Sequence, residues 1–381
     1  MKQKDGIKKI LGLLSLALLG GFVGAFIGKM GFGASESTVP LSVKLASITS
    51  IIPAFLLVIA WHEGGHAVAG IKMGFDFKMY IVGPFMWEKQ STGWHFKWNK
   101  NVNTAGGLVL CLPTDAVNLS NRFTVFAAGG PFASLLLTFF AYAIYQLIFR
   151  DNPTNNISIE LLGNFFSITA LLSLFIFFAT AIPLRMGGFY TDGARILRLQ
   201  KGGDVSKFES LMLKLITDTS SGVRPKLLNI NELEEIKALA KQLNEPFGVY
   251  IHGICHQAAF DNGDIEKAEQ YLLDYINEAE NIPEGIRNMV WLDAAFFYAY
   301  EKKDLIEADK FWQQYKPSAM IPKAQIFATE AAISFLKKDW ETAHLKSNAA
   351  LKELPDMIDK GVSIALKDKI NMLLLIIEKR P

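Results

Sequence analysis

The chain of 381 residues contains only two cysteines, Cys111 and Cys255, and they lie far apart in the sequence. Two distant thiols provide no disulfide framework, so both are expected to be reduced. The chain also lacks a long basic tract and a module of interleaved basic and aromatic residues, which argues against a nucleic acid partner. Its formal net charge of +2 does not favour any particular class of partner.

Apolar residues, by contrast, are abundant: they make up 50% of the chain, and its mean hydropathy is positive. They are concentrated before about residue 185, whereas charged residues are concentrated after it. A membrane part followed by a water-exposed part is the simplest account. Four segments are long and apolar enough to span a lipid bilayer, at about Ile10–Met30, Val43–Gly70, Phe123–Phe149 and Leu161–Leu184.

The first span follows the sequence MKQKDGIKK, so a cleaved signal peptide is the alternative to a membrane helix. Its apolar stretch is longer than a usual signal core, which favours an uncleaved helix. Between the second and third spans there are six basic residues, Lys72, Lys78, Lys89, Lys97, Lys100 and Arg122, whereas the two other connecting segments have one or none. The positive-inside rule therefore predicts a multi-pass protein with both termini and the middle loop in the cytoplasm.

The second span contains the sequence His62-Glu63-Gly64-Gly65-His66, with three ionisable side chains in an apolar helix. Residues at i and i+4 share one helix face, so both imidazoles can reach one ion. Glu63 lies beside them, where a carboxylate can act as general base toward water. The alternative is a helix-packing histidine pair with an incidental glutamate. Ionisable groups inside a membrane are usually functional, which favours a zinc site.

A candidate third ligand follows the fourth span, in the sequence TAIPLRMGGFYTDGARIL. Pro183 is expected to end or kink the helix, and Asp192 comes shortly after it. Because the second and fourth spans run toward the same membrane face, Asp192 can meet the two histidines at a similar depth. An Asp-Gly pair is by itself a common turn dipeptide, so only its position supports Asp192 as a ligand.

These motifs resemble the site-2 protease family of intramembrane zinc metalloproteases. The family carries HExxH on one membrane helix and Asp-Gly near a later one, and AAGGPFASLLL at 127–137 resembles its Gly-Pro helix. The resemblance covers about residues 43–200 and implies one zinc ion, held by His62, His66 and Asp192, with Glu63 as general base. Its setting would be a bacterial cytoplasmic membrane.

The chain departs from the family pattern at three points. Thr180 stands where asparagine is typical, and the segment from Pro183 to Asp192 is longer than usual. Ser134 stands where an asparagine often follows the Gly-Pro pair, and no role is assigned to it.

The middle loop is predicted to form a β-hairpin, with KMYIVGPFMWEK and GWHFKWN as its strands and QSTG as its turn. Its alternating aromatic residues suit either anchoring at the membrane–water interface or an exposed strand edge that pairs with an unwound substrate. The sequence TAGGLVLCLP, at 104–113, is expected to be a further loop or strand near the site.

The C-terminal half contains a recurring pattern, in which NGDIEKA, KKDLIEA and KKDWETA end at Ala268, Ala308 and Ala343. This pattern resembles tetratricopeptide-type helical hairpins, with a generic helical bundle as the alternative. Such repeats bind proteins and rarely perform chemistry. The sequence HGICH, from His252 to His256, is compatible with a second metal site, although helix packing is favoured there.

We therefore expect a mainly α protein: a membrane domain at 1–200 with about four membrane helices, a helical linker at 201–245, and a tetratricopeptide-like domain at 246–381. The predicted function is hydrolysis of membrane-spanning protein substrates near the cytoplasmic face, with the repeats recruiting substrate, regulating the enzyme or binding another protein. One alternative is a catalytically silent membrane scaffold, and another is a transporter component, which the lack of an evident inverted repeat disfavours.

Overall fold

The computed structural model describes residues 41–99, 104, 106–150, 156–186, 189–245, 248–282, 284–316 and 321–379. The chain divides into two compact units near Lys201. The N-terminal unit runs to Lys201, except that Gln90–Gly93 and Leu112–Leu119 are grouped with the C-terminal unit. The predicted first membrane span lies outside the described residues.

The described part of the N-terminal unit has three helices long and apolar enough to cross a membrane, at Leu45–Lys72, Leu119–Arg150 and Ile157–Ala181. They correspond to three of the four predicted spans. The first consists of α1 (Leu41–Thr49) and α2 (Ile51–Lys72), the second is α3 (Leu119–Ile144), extended by a π-helical turn, and the third is α4 (Ile157–Ala181).

Helix α4 ends where the sequence predicts a break. Ile182 has extended backbone angles, as expected for the residue before a proline, because the ring of Pro183 clashes with a helical neighbour. Helices α2 and α3 approach each other closely at Gly65 and Gly129, where a Cβ on Gly129 would lie 2.5 Å from the carbonyl oxygen of Gly65. This contact brings the histidine-bearing face of α2 against α3.

The middle loop forms a sheet of four strands rather than one hairpin: β1 (Asp76–Val82), β2 (Phe85–Gln90), β3 (Gly93–Trp98) and β4 (Leu108–Leu112). Their order is β3-β2-β1-β4. The run KMYIVGPFMWEK was expected to be a single strand, but it turns at Gly83 and Pro84, where Gly83 has φ +55°. Glycine and proline supply the turn geometry, and β1 then pairs antiparallel with β2.

The connection from α4 to the next helix is a short hairpin of β5 (Arg185–Met186) and β6 (Phe189–Tyr190). It leads into α5 (Asp192–Gln200), the last helix of the N-terminal unit.

From Gly203 onward, the regular secondary structure of the described residues is helical. The helices are α6 (Gly203–Ser221), α7 (Ile230–Leu243), α8 (Val249–Asn262), α9 (Ile265–Asn277), α10 (Glu284–Phe297), α11 (Leu305–Gln314), α12 (Lys323–Leu336), α13 (Trp340–Glu353) and α14 (Lys360–Glu378).

The recurring sequence pattern of this unit coincides with helix starts. Asp264, Asp304 and Asp339 each accept a backbone N–H bond at the N-terminus of α9, α11 and α13, respectively, as N-cap residues do. The alanine four residues later is fully buried in each copy, so a neighbouring helix can pack closely there. The tetratricopeptide-like repeat itself stays a prediction.

Candidate metal centre

Helix α2 presents His62 and His66 side by side, with ring centroids 4.9 Å apart. Both side chains are buried, as is Glu63. Their spacing is that of i and i+4 on an α-helix, so the two rings lie on one face. The predicted shared face is therefore present, and it points into the protein.

The Nδ1 atom of each histidine is held by helix α3. His66 Nδ1 lies 2.8 Å from the carbonyl oxygen of Phe126, and His62 Nδ1 lies 2.9 Å from the hydroxyl of Ser134. A carbonyl oxygen only accepts, so His66 donates from Nδ1. Fixing Nδ1 in this way orients Nε2, which is the usual arrangement for a metal-binding imidazole.

Asp192 is brought to the same point from the start of α5. Its Oδ2 lies 3.5 Å from His62 Nε2 and 3.4 Å from His66 Nε2. Burial disfavours its charged form, but the two adjacent imidazoles outweigh burial and lower the pKa of Asp192 to about 2. The carboxyl is therefore ionised near neutral pH, as a metal ligand must be.

The longer segment before Asp192 is accommodated by the β5–β6 hairpin. At its base, Thr191 donates its backbone N–H to the carbonyl of Leu184 at 3.0 Å, and the N–H of Leu184 donates to the Thr191 hydroxyl at 3.0 Å. The same hydroxyl donates to the carbonyl of Ile182 at 2.8 Å and caps α5. The additional residues therefore loop out, and Asp192 starts its helix close to the end of α4.

The three side chains fit a divalent metal ion. Their ligand atoms all lie within 4.8 Å of one another, and no other group of three or more His, Cys, Asp or Glu residues in the described part of the chain meets that condition. Two ligands of a tetrahedral zinc ion are about 3.3 Å apart, given bonds of about 2.0–2.1 Å. The separations of 3.5 and 3.4 Å between Asp192 Oδ2 and the two Nε2 atoms are close to that value.

Two glycines leave space around this cluster. A Cβ on Gly130, in α3, would lie 2.7 Å from His62 Nε2 and would overlap His66 Nε2. A Cβ on Gly107, just before β4, would lie 2.5 Å from Oε1 of Glu63. The backbone of α3 therefore lies against the histidines, and the start of β4 lies against the glutamate.

The sheet is attached to α2 beside the cluster. The Tyr80 hydroxyl, on β1, donates to the carbonyl of Ala60 at 2.5 Å. Burial, with a smaller contribution from the charge of Glu63, raises the pKa of Tyr80 to about 12. Tyr80 therefore remains a neutral hydrogen-bond donor at physiological pH.

A model of peptidase family M50 matches residues 50–267, more than half of the chain. The chain belongs to peptidase family M50. M50 is the site-2 protease family, so membership implies a membrane-embedded metalloprotease. No curated protein and no solved structure matches the chain significantly.

Sequence reasoning assigned no role to Ser134, which in this M50 protein is a direct partner of His62. Ser134 is fully buried, and its carbonyl oxygen accepts a hydrogen bond from Ser173 at 2.7 Å. The available signal was spacing: Ser134 lies four residues after Gly130, on the same face of α3. Thr180, at the other departure from the family pattern, donates instead to the carbonyl of Ile176 in its own helix.

The sequence HGICH lies on α8 of the C-terminal unit. Cys255 and His256 are buried there, and His256 Nδ1 donates to the carbonyl of Ala268 at 2.8 Å. The carboxylate nearest to His252 is that of Glu278, with 3.7 Å between His252 Nε2 and Glu278 Oε1. These contacts are those of helix packing.

Ser134→Ala is expected to weaken zinc binding by about 10- to 100-fold, because the substitution removes the partner that orients the His62 imidazole. Competition with a zinc chelator would measure the change. Ser173→Ala is the matched control, since it removes an equally buried hydroxyl that does not touch a histidine. Equal zinc affinities for Ser134→Ala and the wild type would show that Ser134 does not orient His62.

Proposed function

We propose that the protein is a zinc-dependent intramembrane endopeptidase with one zinc ion per chain. His62, His66 and Asp192 would hold the ion, and Glu63 would be the general base. The observation that carries this proposal is that the Asp192 carboxylate, far along the sequence from both histidines, lies 3.4 and 3.5 Å from their Nε2 atoms. The buried Glu63 lies beside this cluster.

The chain's own residues supply the proton transfer. Held by His62, His66 and Asp192, a zinc ion would polarise the scissile carbonyl and would lower the pKa of water at the site toward about 7. Glu63 accepts the proton of the attacking water and passes it to the leaving amine. Because Gly107 lies against its carboxylate, Glu63 has little freedom to swing away. Ser134 and the Phe126 carbonyl keep the histidine Nε2 atoms directed toward Asp192.

The substrate would be a membrane protein with one span, cut near the cytoplasmic face. A protease needs its substrate extended, and β4 is an edge strand of the sheet that begins directly after Gly107. An unwound substrate segment that paired with β4 would lie beside Glu63, and strand addition of this kind is a common mode of peptide recognition.

The remaining parts of the chain would deliver substrate to the protease domain or regulate its cleavage. We assign residues 1–200 to the membrane protease domain, 201–245 to a helical linker and 246–381 to a tetratricopeptide-like domain that recruits substrate or regulates cleavage. Both termini would be cytoplasmic, as the distribution of basic residues predicts. The membrane would be a bacterial cytoplasmic membrane.

Zinc content tests the proposal. The purified wild type is expected to carry about one zinc ion per chain, in accordance with a site of three protein ligands. His62→Ala should lose the ion and Asp192→Ala should bind it more weakly, whereas Glu63→Ala should keep it because Glu63 is not a ligand. Metal analysis of the four proteins in detergent measures this. A wild type without zinc, or zinc unaffected by His62→Ala, would contradict the proposed site.

A further inference from the structure

The C-terminal unit contains a cavity between helices α8, α10, α12 and α14. Its volume is about 40 Å³, room for about three water molecules. The walls combine apolar groups, among them Phe260, Phe296 and Leu366, with the polar side chains of Asp293 and Gln325. A polar wall inside a helical domain requires an explanation, because buried polar groups are normally paired.

Asp293 is a buried carboxylate with no cationic partner among the described residues. It is 6% exposed, and it accepts hydrogen bonds from the side-chain amides of Gln325 and Gln257. Within the described part of the chain, no lysine, arginine or histidine lies within ion-pair distance of it. Burial raises the pKa of Asp293 to about 7, since its charge has only amide partners.

Lys369 also lines the cavity but is engaged elsewhere. Its Nζ lies 4.2 Å from the centroid of the Phe260 ring and 3.9 Å from Oδ1 of Asp261. Asp261 is therefore the carboxylate that Lys369 neighbours, and no residue in the described part of the chain supplies a counter-charge to Asp293.

Gln325 supplies a second acceptor, for which the described residues provide no donor. Its amide NH₂ faces Asp293, because a carboxylate only accepts. Its carbonyl Oε1 is buried and has no hydrogen-bond partner among the described residues. The residue is 5% exposed and lines the cavity. A buried acceptor without a donor destabilises the folded state, so the cavity contains two acceptors that a single donor group could satisfy.

We propose that this cavity binds a primary ammonium group on a short alkyl stem. An ammonium carries three N–H donors and one positive charge. Its charge would neutralise Asp293, and one of its N–H groups would donate to the Gln325 carbonyl. The apolar walls, which include Phe296 and Leu366, accept the stem. A free alkylamine and a lysine side chain share this chemistry. The proposal concerns the C-terminal unit and does not depend on the metal site.

Titration of the full-length protein in detergent with n-propylammonium chloride tests the proposal, with calorimetry as the readout. We expect saturable binding of n-propylammonium and none of n-propanol, which has the same stem without the charge. Asp293→Asn keeps the side-chain shape but removes the charge, and should weaken binding by about tenfold or more. Gln325→Met removes the second acceptor and should weaken binding to a smaller extent.

Asp274→Asn is the matched control, since it removes an aspartate of the same unit whose side chain is 49% exposed. It should bind n-propylammonium as the wild type does. The proposal is overturned if the wild type shows no saturable binding, or if Asp293→Asn and Gln325→Met both bind like the wild type. Competition by Nα-acetyl-lysine-N-methylamide would identify a lysine side chain as the occupant, and its failure to compete would identify a free amine.

Discussion

Glu63→Gln is expected to lower the rate of peptide hydrolysis by about 100- to 10,000-fold, the range that general acid–base catalysis contributes. Glutamine has the shape of glutamate but cannot take a proton from water at this position. The side chain is buried, with Gly107 against its carboxylate, so no other group can easily replace it. The rate of cleavage of a single-span protein substrate, measured with purified enzyme, checks the prediction.

Zinc content separates the catalytic role of Glu63 from a structural one. Glu63→Gln should retain the ion, because the three ligand atoms belong to other residues. Glu160→Gln is a suitable control, since Glu160 lies in the first turn of α4 and has no part in the proposed mechanism. Full activity in Glu63→Gln would refute the assignment of the base, and simultaneous loss of zinc and activity would make Glu63 a structural residue.

Gly130→Ala is expected to weaken zinc binding by about 10- to 100-fold, the effect of a strain of about 1–3 kcal/mol from one added methyl group. The methyl would lie 2.7 Å from His62 Nε2 and would overlap His66 Nε2. Movement of α3 away from α2 would relieve this clash, but it would also break the contacts of Ser134 and the Phe126 carbonyl with the two histidines. Metal analysis and chelator competition measure the loss, with circular dichroism as the check on folding.

Gly64→Ala provides the contrast within the HEGGH sequence itself. A Cβ at Gly64 has the Tyr80 hydroxyl as its nearest neighbour, at an ordinary distance of 3.8 Å, and alanine favours a helix. This variant should therefore bind zinc as the wild type does. If the two alanine variants bind zinc equally well, the space beside the imidazoles does not depend on Gly130.

The cluster of His62, His66 and Asp192 was accessible to sequence reasoning through helix periodicity and the direction of the membrane spans. His62 and His66 share a face wherever the helix forms, and Asp192 was placed by the direction of the spans. Ser134 and Gly130 were not accessible in the same way. Their importance comes from how α2 packs against α3, and a string of small residues does not specify which of them faces the histidines.

The fold, like the site, could be predicted from the sequence only in part. Three spans followed from length and hydropathy, and the end of α4 followed from Pro183. The sheet was predicted with too few strands, because the apolar run across Gly83 and Pro84 was treated as continuous although both residues favour a turn. A capping residue in the sequence marks a helix start well, as at Asp264, whose side chain accepts a hydrogen bond from the backbone N–H of Lys267 in the first turn of α9.

In the β5–β6 hairpin, Leu184 and Thr191 are separated along the chain but lie next to each other in space. Because Leu184 and Thr191 close its base with paired hydrogen bonds, the position of Asp192 is decided at that closure and not by the residues beyond it. Doubling the length of a flexible loop costs only about 0.6 kcal/mol. The interval between Pro183 and Asp192 can therefore lengthen or shorten during evolution without moving the aspartate, as long as the hydrogen bonds between Leu184 and Thr191 are kept.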